Sequence, residues 1–205
     1  MPPESLASLL KVVLPVYLAV FFFTAFFWRS YRVWRRTGVN PYVLGTGEDA
    51  HSYIGRLFWL TLIAVVFIVV AYLLSDGVYA YLAPIQWLSQ AGLIVAGLFL
   101  LALALVWVLI AQAQMGDAWR IGVDASRETR LVQSGLFAVS RNPIFLGMLV
   151  MLLGFFLVLP NALSLVVVVL GYALIQIQVR LEEEHLTRLH GNAYQDYCRR
   201  VRRWL

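Results

Sequence analysis

Charged residues are scarce in this sequence. Of its 205 residues, 13% are charged and 61% are apolar, against about 25% and about 45–50% in soluble domains. The scarcity is concentrated in uncharged runs at 12–28, 57–75, 77–116 and 142–179. Because about 20 apolar residues cross a bilayer, these runs exclude a soluble domain, a disordered chain and a barrel of alternating strands. The sequence therefore predicts an all-α integral membrane protein.

Cysteine and histidine are also rare, and their positions exclude several kinds of site. The single cysteine, Cys198, allows neither an internal disulfide nor a multi-cysteine metal site. The three histidines (His51, His185 and His190) lie outside the uncharged runs, which excludes a bis-histidine haem in the bundle. The net charge of +5 would suggest nucleic acid in a soluble protein, but the apolar excess argues against that partner. We expect no metal and no nucleic acid.

Proline and turn residues divide the uncharged runs into membrane helices. The last run breaks at Pro160-Asn161, because proline ends a helix and a turn follows it, so a tight helical hairpin is predicted there. The hairpin helices are short, about 24–27 Å. We predict one membrane domain, 1–205, in which 1–114 carries three spans with a cytosolic loop at 29–54. The five predicted spans are Leu9–Trp28, Gly55–Leu74, Leu88–Gln112, Ile144–Leu159 and Ala162–Val179.

The arginines predict the orientation of these helices. All 15 fall in the two connections after the first and third spans, in the first turn of the second span (Arg56) or in the tail after the fifth, which a five-span chain places on one side. The positive-inside rule makes that side cytosolic, with the N-terminus outside and the C-terminus, a helical segment, inside. For most arginines, topology and contact with anionic lipid are a sufficient explanation. We expect a bacterial or archaeal cytoplasmic membrane.

The acidic cluster after the fifth span contains three different carboxylates. Glu184 has Arg180 and Arg188 at helical spacing, which predicts ordinary surface ion pairs. Glu182 lies on the apolar stripe of the helix and Glu183 borders it. An inward carboxylate needs a cation or hydrogen-bond donors. Two readings stay open: a structural ion pair with Arg120, Arg130 or Arg141, or a carboxylate that binds a polar ligand.

The segment before the hairpin contains a second polar cluster. Pro143 suits the first turn of the fourth helix, and Ser140 or Asn142 suits its N-cap. The free N–H groups at a helix start, with Gly135 nearby, can also face a carboxylate or phosphate. We expect Arg141 and Asn142 to hold the carboxylate of a cofactor or an anionic group of a substrate.

These two segments together resemble the isoprenylcysteine carboxyl methyltransferase and phospholipid methyltransferase group. The motifs are Leu-Val-x-x-Gly-x-Phe, Arg-Asn-Pro-x-Phe-x-Gly, Glu-Glu-x-x-Leu and Gly-x-x-Tyr-x-x-Tyr, which cover residues 131–201 with the hairpin in the expected place. Asn142 stands where that group most often has histidine, Phe137 and Phe145 replace tyrosines, and Trp119-Arg120-Ile121 lies near the place of another histidine. The first two-thirds of the chain carries no comparable motif.

The resemblance implies S-adenosylmethionine as cofactor and 115–205 as a methyltransferase core that binds it. It implies Arg141 and Glu182 as catalytic residues. The residues expected to line the cofactor are Val132, Gly135, Phe137, Arg141, Asn142, Pro143, Glu182, Glu183, Tyr194 and Tyr197.

The acceptor is expected to be lipid-like or a small amphipathic molecule at the cytosolic interface. No residue resembles a dedicated base, which suits a carboxylate or thiolate acceptor better than an amine. Two alternatives remain: a nicotinamide-dependent membrane reductase of the same fold group, and a non-enzymatic membrane protein that binds a partner.

Overall fold

The computed structural model describes residues 4–38, 50–116 and 131–205. Within these ranges the regular secondary structure is helical. The helices are α1 (Glu4–Phe21), a π-helical segment (Phe22–Trp28), α2 (Arg29–Thr37), α3 (Ala50–Leu74), α4 (Asp76–Ala80), α5 (Ala91–Met115), α6 (Pro143–Val158), α7 (Ala162–His190) and α8 (Asn192–Arg200), with 3₁₀ turns at Gln86–Leu88 and Gly135–Ala138.

Four helical stretches are long and apolar enough to cross a membrane. They are Glu4–Thr37, Ser52–Leu74, Ala91–Met115 and Ala162–His190, while Pro143–Val158 is apolar but shorter. All five predicted membrane helices thus exist as helices, and four of them meet the length of a span. The integral membrane prediction is confirmed at this level.

The first helix is longer than the sequence predicted. It was expected to end at Trp28, where the uncharged run stops, but it continues through the π-helical segment and α2 to Thr37. The reason is that no glycine or proline interrupts residues 16–37, and arginine is a good helix former. Part of the connection predicted as a loop at 29–54 is therefore helical.

The α5–α6 pair packs with almost no space between the two backbones. A Cβ placed on Gly97 would lie 2.7 Å from the carbonyl oxygen of Gly154, and one placed on Gly154 would lie 2.9 Å from the carbonyl oxygen of Gly97. Near the other end of α6, a Cβ placed on Gly147 would lie 2.6 Å from the Val108 side chain. Small residues at such crossings allow close packing of membrane helices. We call this contact the glycine seam.

The predicted hairpin is present, and neutral groups hold it. Asn161 caps α7, because its side chain accepts a hydrogen bond from the Ser164 N–H at 2.8 Å while the Asn161 N–H donates to Ser164 Oγ at 3.0 Å. The Ile85 N–H donates to the Pro160 carbonyl at 2.8 Å, and the Ala162 N–H donates to the Leu82 carbonyl at 3.0 Å. The hairpin is thereby joined to the segment between α3 and α5. We call this the hairpin end of the bundle (residues 75–90 and 159–161).

The charged segments gather at the other end. We call it the polar end: residues 29–38, 131–142 and 180–205. Arg29 donates to the Gly116 carbonyl, and the Leu136 N–H donates to Gln114 Oε1 at 2.7 Å. These contacts bring α2, the last turn of α5 and the segment before α6 to the same end. The candidate site is built here.

Candidate active site

The helix α7 carries the acidic cluster beyond the apolar part of the bundle. Its 29 residues extend about 43 Å, while the hydrocarbon core of a bilayer is about 30 Å thick. The uncharged part is 162–179, and the charges begin at Arg180. Glu182, Glu183 and Glu184 therefore lie outside the apolar stretch, at the polar end.

Glu183 is the buried carboxylate of the three, and both of its oxygens are bound. Oε1 accepts from Arg141 Nε at 3.2 Å, from Arg141 Nη2 at 3.0 Å and from Asn142 Nδ2 at 3.0 Å. Oε2 accepts from Arg203 Nε at 3.1 Å and Nη2 at 2.7 Å. Charged hydrogen bonds of this forked kind are the strong ones. We call Arg141, Asn142, Glu183 and Arg203 the Glu183 clamp.

The clamp also fixes the end of the chain. Arg141 Nη1 donates to the carbonyls of Cys198 at 3.2 Å and Val201 at 2.8 Å. The Arg141 N–H donates to the Arg202 carbonyl at 3.0 Å, and Ser140 Oγ donates to the Arg203 carbonyl at 3.3 Å. One guanidinium thus joins the segment before α6 to α7 and to the tail after α8. The N–H groups of the Arg141 guanidinium already donate to groups within the protein. An anion bound by Arg141 would therefore have to replace these hydrogen bonds.

The clamp explains the electrostatics of its members. Burial alone would raise the pKa of the Glu183 carboxyl, but the hydrogen bond from Arg203 and the charge and hydrogen bonds of Arg141 hold that pKa below its usual range. The hydrogen bond to Glu183 raises the pKa of the Arg203 guanidinium. The Glu183 carboxyl and the Arg203 guanidinium are therefore both ionised at neutral pH.

Glu182 stands next to this network and has no partner among the described parts of the chain. Its side chain is half-buried and makes no hydrogen bond or ion pair with the residues that the structure describes. Burial, together with the charge of Glu183, raises the pKa of the Glu182 carboxyl to about 7. An unpaired, half-buried carboxylate is available to a ligand, whereas Glu183 is not.

Glu184 faces solvent and pairs with Arg188, as its spacing predicted, whereas Arg180, the other predicted partner, donates to Gln176. Glu184 Oε1 lies 3.7 Å from Arg188 Nη2, and both side chains are at least 65% exposed. Such a pair contributes about 0–1 kcal/mol. The predicted partners Arg120 and Arg130 of the acidic cluster, together with Trp119 and Ile121, lie outside the described residues.

A second contact joins the 3₁₀ turn to α8. Phe137 is buried, and its carbonyl accepts a hydrogen bond from Tyr197 OH at 2.6 Å. Tyr194 is buried beside it, with the two tyrosine rings 5.9 Å apart. Burial raises the pKa of Tyr197 to about 12, so the phenol stays protonated and keeps donating. This arrangement positions the turn and does not expose either ring to a ligand.

The other residues expected to bind the cofactor lie in the segment before α6 or at the start of that helix. Gly135 has φ of +65°, a conformation that favours glycine, and a Cβ there would lie 2.4 Å from the end of the Gln114 side chain, which would have to move. Pro143 occupies the first turn of α6 as predicted, and its carbonyl accepts from Trp107 Nε1 at 2.8 Å. Asn142 is the N-cap residue, but its side chain binds Glu183 and does not cap the helix. Val132, in the same segment, is half-buried.

Sequence reasoning missed Arg203 and Gln114. Arg203 is one of six arginines in the tail, and its 20-residue distance from Glu183 is no helical spacing. Gln114 is the last polar residue of a long apolar run, and nothing in the run marks its contact with Leu136.

Comparison with known proteins assigns the family. The sequence model of the phospholipid methyltransferase family matches residues 92–193, about half of the chain. The chain belongs to the phospholipid methyltransferase family. No curated protein matches it.

The family match confirms the resemblance and defines the general activity. It runs from α5 through α7 to the start of α8, and so includes Arg141, Asn142 and the three glutamates. Arg203, Tyr194 and Tyr197 lie beyond it. The phospholipid methyltransferase family consists of membrane methyltransferases, and this chain is one in that general sense.

Proposed function

We propose that the chain transfers a methyl group from S-adenosylmethionine to a lipid-like or small amphipathic acceptor at the cytosolic interface. The acceptor atom is a carboxylate oxygen, a thiol sulfur or an amine nitrogen. One observation supports this most: the Glu183 clamp joins the motif segment before α6 to the acidic turn of α7 at the polar end of an apolar bundle. A charged cofactor and an apolar acceptor can meet at such a boundary.

The residues at this end fit S-adenosylmethionine in their chemistry. When bound, the cofactor supplies an electrophilic methyl group on a sulfonium centre, and the rest of the molecule carries an ammonium and hydroxyl donors. Glu182 offers an unpaired carboxylate to such positive and donor groups. In-line methyl transfer depends above all on the position of the acceptor atom relative to the sulfonium methyl group. The turn that contains Gly135 and Phe137, held by the hydrogen bond from Tyr197, offers a fixed surface for such positioning.

The two residues expected to be catalytic take different roles in this proposal. Glu182 contacts the cofactor directly. Arg141 is a positioning residue, because its guanidinium is occupied by Glu183 and by the carbonyls of Cys198 and Val201. The cofactor-binding core is 115–205, and its lining comes from the segments that carry Val132, Gly135, Phe137, Asn142, Pro143, Glu182, Glu183, Tyr194 and Tyr197.

The proposal includes an orientation. Five spans, with α6 as the short one, place the polar end in the cytosol and the N-terminus outside, which the arginine distribution supports. A reporter fused after Leu205 should report the cytosol, and one fused before Met1 should report the outer side. The opposite pattern would contradict a cytosolic site.

Binding of radiolabelled S-adenosylmethionine to the purified protein in detergent tests the cofactor. We expect saturable binding that Glu182→Gln weakens by about tenfold, since a hydrogen bond to a charged group contributes about 1.5–3 kcal/mol. Membranes incubated with the labelled cofactor should yield label in an organic extract. Binding of a nicotinamide cofactor in place of S-adenosylmethionine would support a reductase, and binding of neither would support a non-enzymatic role.

A further inference from the structure

The π-helical segment and the end of α5 contain a buried polar group that the proposed site does not use. Gln112 is 5% exposed, and its Nε2 donates to the Ala25 carbonyl at 3.0 Å. Because a carbonyl accepts this bond, the amide orientation is fixed, and Oε1 can only be an acceptor. That Oε1 is buried and has no donor among the described residues. A buried acceptor without a donor is unfavourable.

The surroundings of Gln112 show what kind of donor would fit. One turn earlier on α5, Val108 packs with Phe21 and Ala25, and Ile144 of the first turn of α6 lies against the same cluster. A water molecule needs two to four polar partners, which the side chains of Phe21, Val108 and Ile144 do not provide. On the other side of Gln112, one turn further along both helices, Arg29 donates to the Gly116 carbonyl. A donor that arrives on an apolar tail is compatible with both the unsatisfied oxygen and the cluster.

We infer that Gln112 Oε1 binds the hydrogen-bond donor of the acceptor's head group, an N–H or O–H, at the start of α6. The inference rests on the proposed function, because it places the acceptor beside the motif segment that begins α6. It changes the expected acceptor, since a carboxylate or thiolate brings no donor. Gln112 is then a specificity-determining residue for amphiphiles with amine or hydroxyl heads. The π-helical segment, a feature frequent at functional sites, presents the carbonyl that orients the amide.

Two cationic amphiphiles of equal tail length test the inference. Hexadecylammonium carries N–H donors, whereas hexadecyltrimethylammonium has the same charge and none. Binding to the purified protein in neutral mixed micelles should favour hexadecylammonium by about tenfold, the effect of one hydrogen bond to a buried group. Hexadecan-1-ol as a third probe separates hydroxyl from amine heads: whichever head binds more tightly identifies the donor class.

Variants separate the role of Gln112 from general stability. Gln112→Leu should abolish the preference for the donor-bearing amphiphile. Thr61→Val is the matched control, because Thr61 is a buried polar residue of α3 whose hydroxyl already donates to the Leu57 carbonyl; it should keep the preference. If Gln112→Leu does not fold, Gln112→Met, an apolar side chain of similar length, should also abolish the preference, so a preference retained in that folded variant would overturn the inference.

The outcomes distinguish this inference from the proposed function. No preference in the wild-type protein, or an unchanged preference in Gln112→Leu, would overturn the role of Gln112 while labelled S-adenosylmethionine still binds. A preference that depends on Gln112, in a protein that fails to bind S-adenosylmethionine, would overturn the proposed function and leave the amphiphile site in place.

Discussion

The two ends of the bundle are held together by different chemistry. At the hairpin end, the caps and turns consist of neutral groups, with Asn161, Ser164 and backbone amides satisfying one another. At the polar end, one carboxylate holds two guanidiniums. Neutral bonds are lost one at a time, but removal of one member of a buried ionic cluster leaves the others charged and unpaired. The polar end is therefore the more sensitive of the two to a single substitution.

Loss of the Glu183 carboxylate should have the largest effect. Glu183→Gln leaves Arg141 and Arg203 without their shared anion, and breaking a buried pair in this way costs about 3–5 kcal/mol. The midpoint of thermal unfolding in detergent should fall sharply, with retention of S-adenosylmethionine lost as well. A wild-type melting temperature in this variant would show that the clamp is not what holds the tail.

Substitution of the neighbouring Glu182 should raise the stability of the protein, whereas substitution of Glu183 lowers it. The raised Glu182 pKa of about 7, against an ordinary 4.5, means that ionised Glu182 destabilises the folded state above pH 7 and does so less as the pH falls. Glu182→Gln should therefore stabilise the protein at pH 8 by about 1–3 kcal/mol and have little effect at pH 5.

Thermal unfolding at the two pH values measures this difference. The same variant is expected to bind S-adenosylmethionine more weakly, so stability and binding would change in opposite directions. A Glu182→Gln protein that is less stable at pH 8 would indicate a hidden partner for this carboxylate.

A substitution that removes hydrogen bonds at the hairpin end should destabilise the protein less than Glu183→Gln does. Asn161→Ala removes the cap of α7 and the hydrogen bond from Asn161 Nδ2 to Tyr79 OH, recorded at 3.3 Å. Loss of an N-cap costs about 0.5–2 kcal/mol. The melting temperature should fall modestly while S-adenosylmethionine binding at saturating cofactor is unchanged. A fall as large as that of Glu183→Gln would remove the contrast between the two ends.

The smallest effect is expected at Glu184. Glu184→Gln loses only its exposed pair with Arg188, worth about 0–1 kcal/mol. Both melting temperature and cofactor binding should match the wild type. Equal losses at all three glutamates would contradict the division of roles within the cluster.

The sequence predicts the helices well, because hydrophobic length and proline positions act locally. The hairpin at Pro160-Asn161 and the proline in the first turn of α6 both occur where expected. The end of the first helix was misplaced, because the loss of apolar character at Arg29 marks where hydrophobicity stops and not where hydrogen bonding stops. The π-helical segment has no sequence pattern of its own to reveal it.

The site was only partly predictable, because its decisive contacts join distant parts of the chain. Helical spacing correctly paired Glu184 with Arg188, which lie one turn apart. The same reasoning placed Glu182 on the inward stripe, whereas Glu183 is the more buried residue, since the cations that draw it inward come from α6 and from the tail. Only the tertiary structure shows that Arg203, among the arginines of the tail, is the one that turns inward.

The glycine seam decides where a lipid can enter. Between α5 and α6 the backbones at Gly97 and Gly154 approach so closely that not even a methyl group fits, and an acyl chain is no narrower than a methyl group. This flank of the bundle is thus a closed wall. A lipid tail that reaches the polar end from the bilayer must pass along another flank, such as the one where the aromatic π-helical segment meets α5. The glycine seam thereby limits the side from which a hydrophobic molecule can reach the polar end, although it does not bind that molecule.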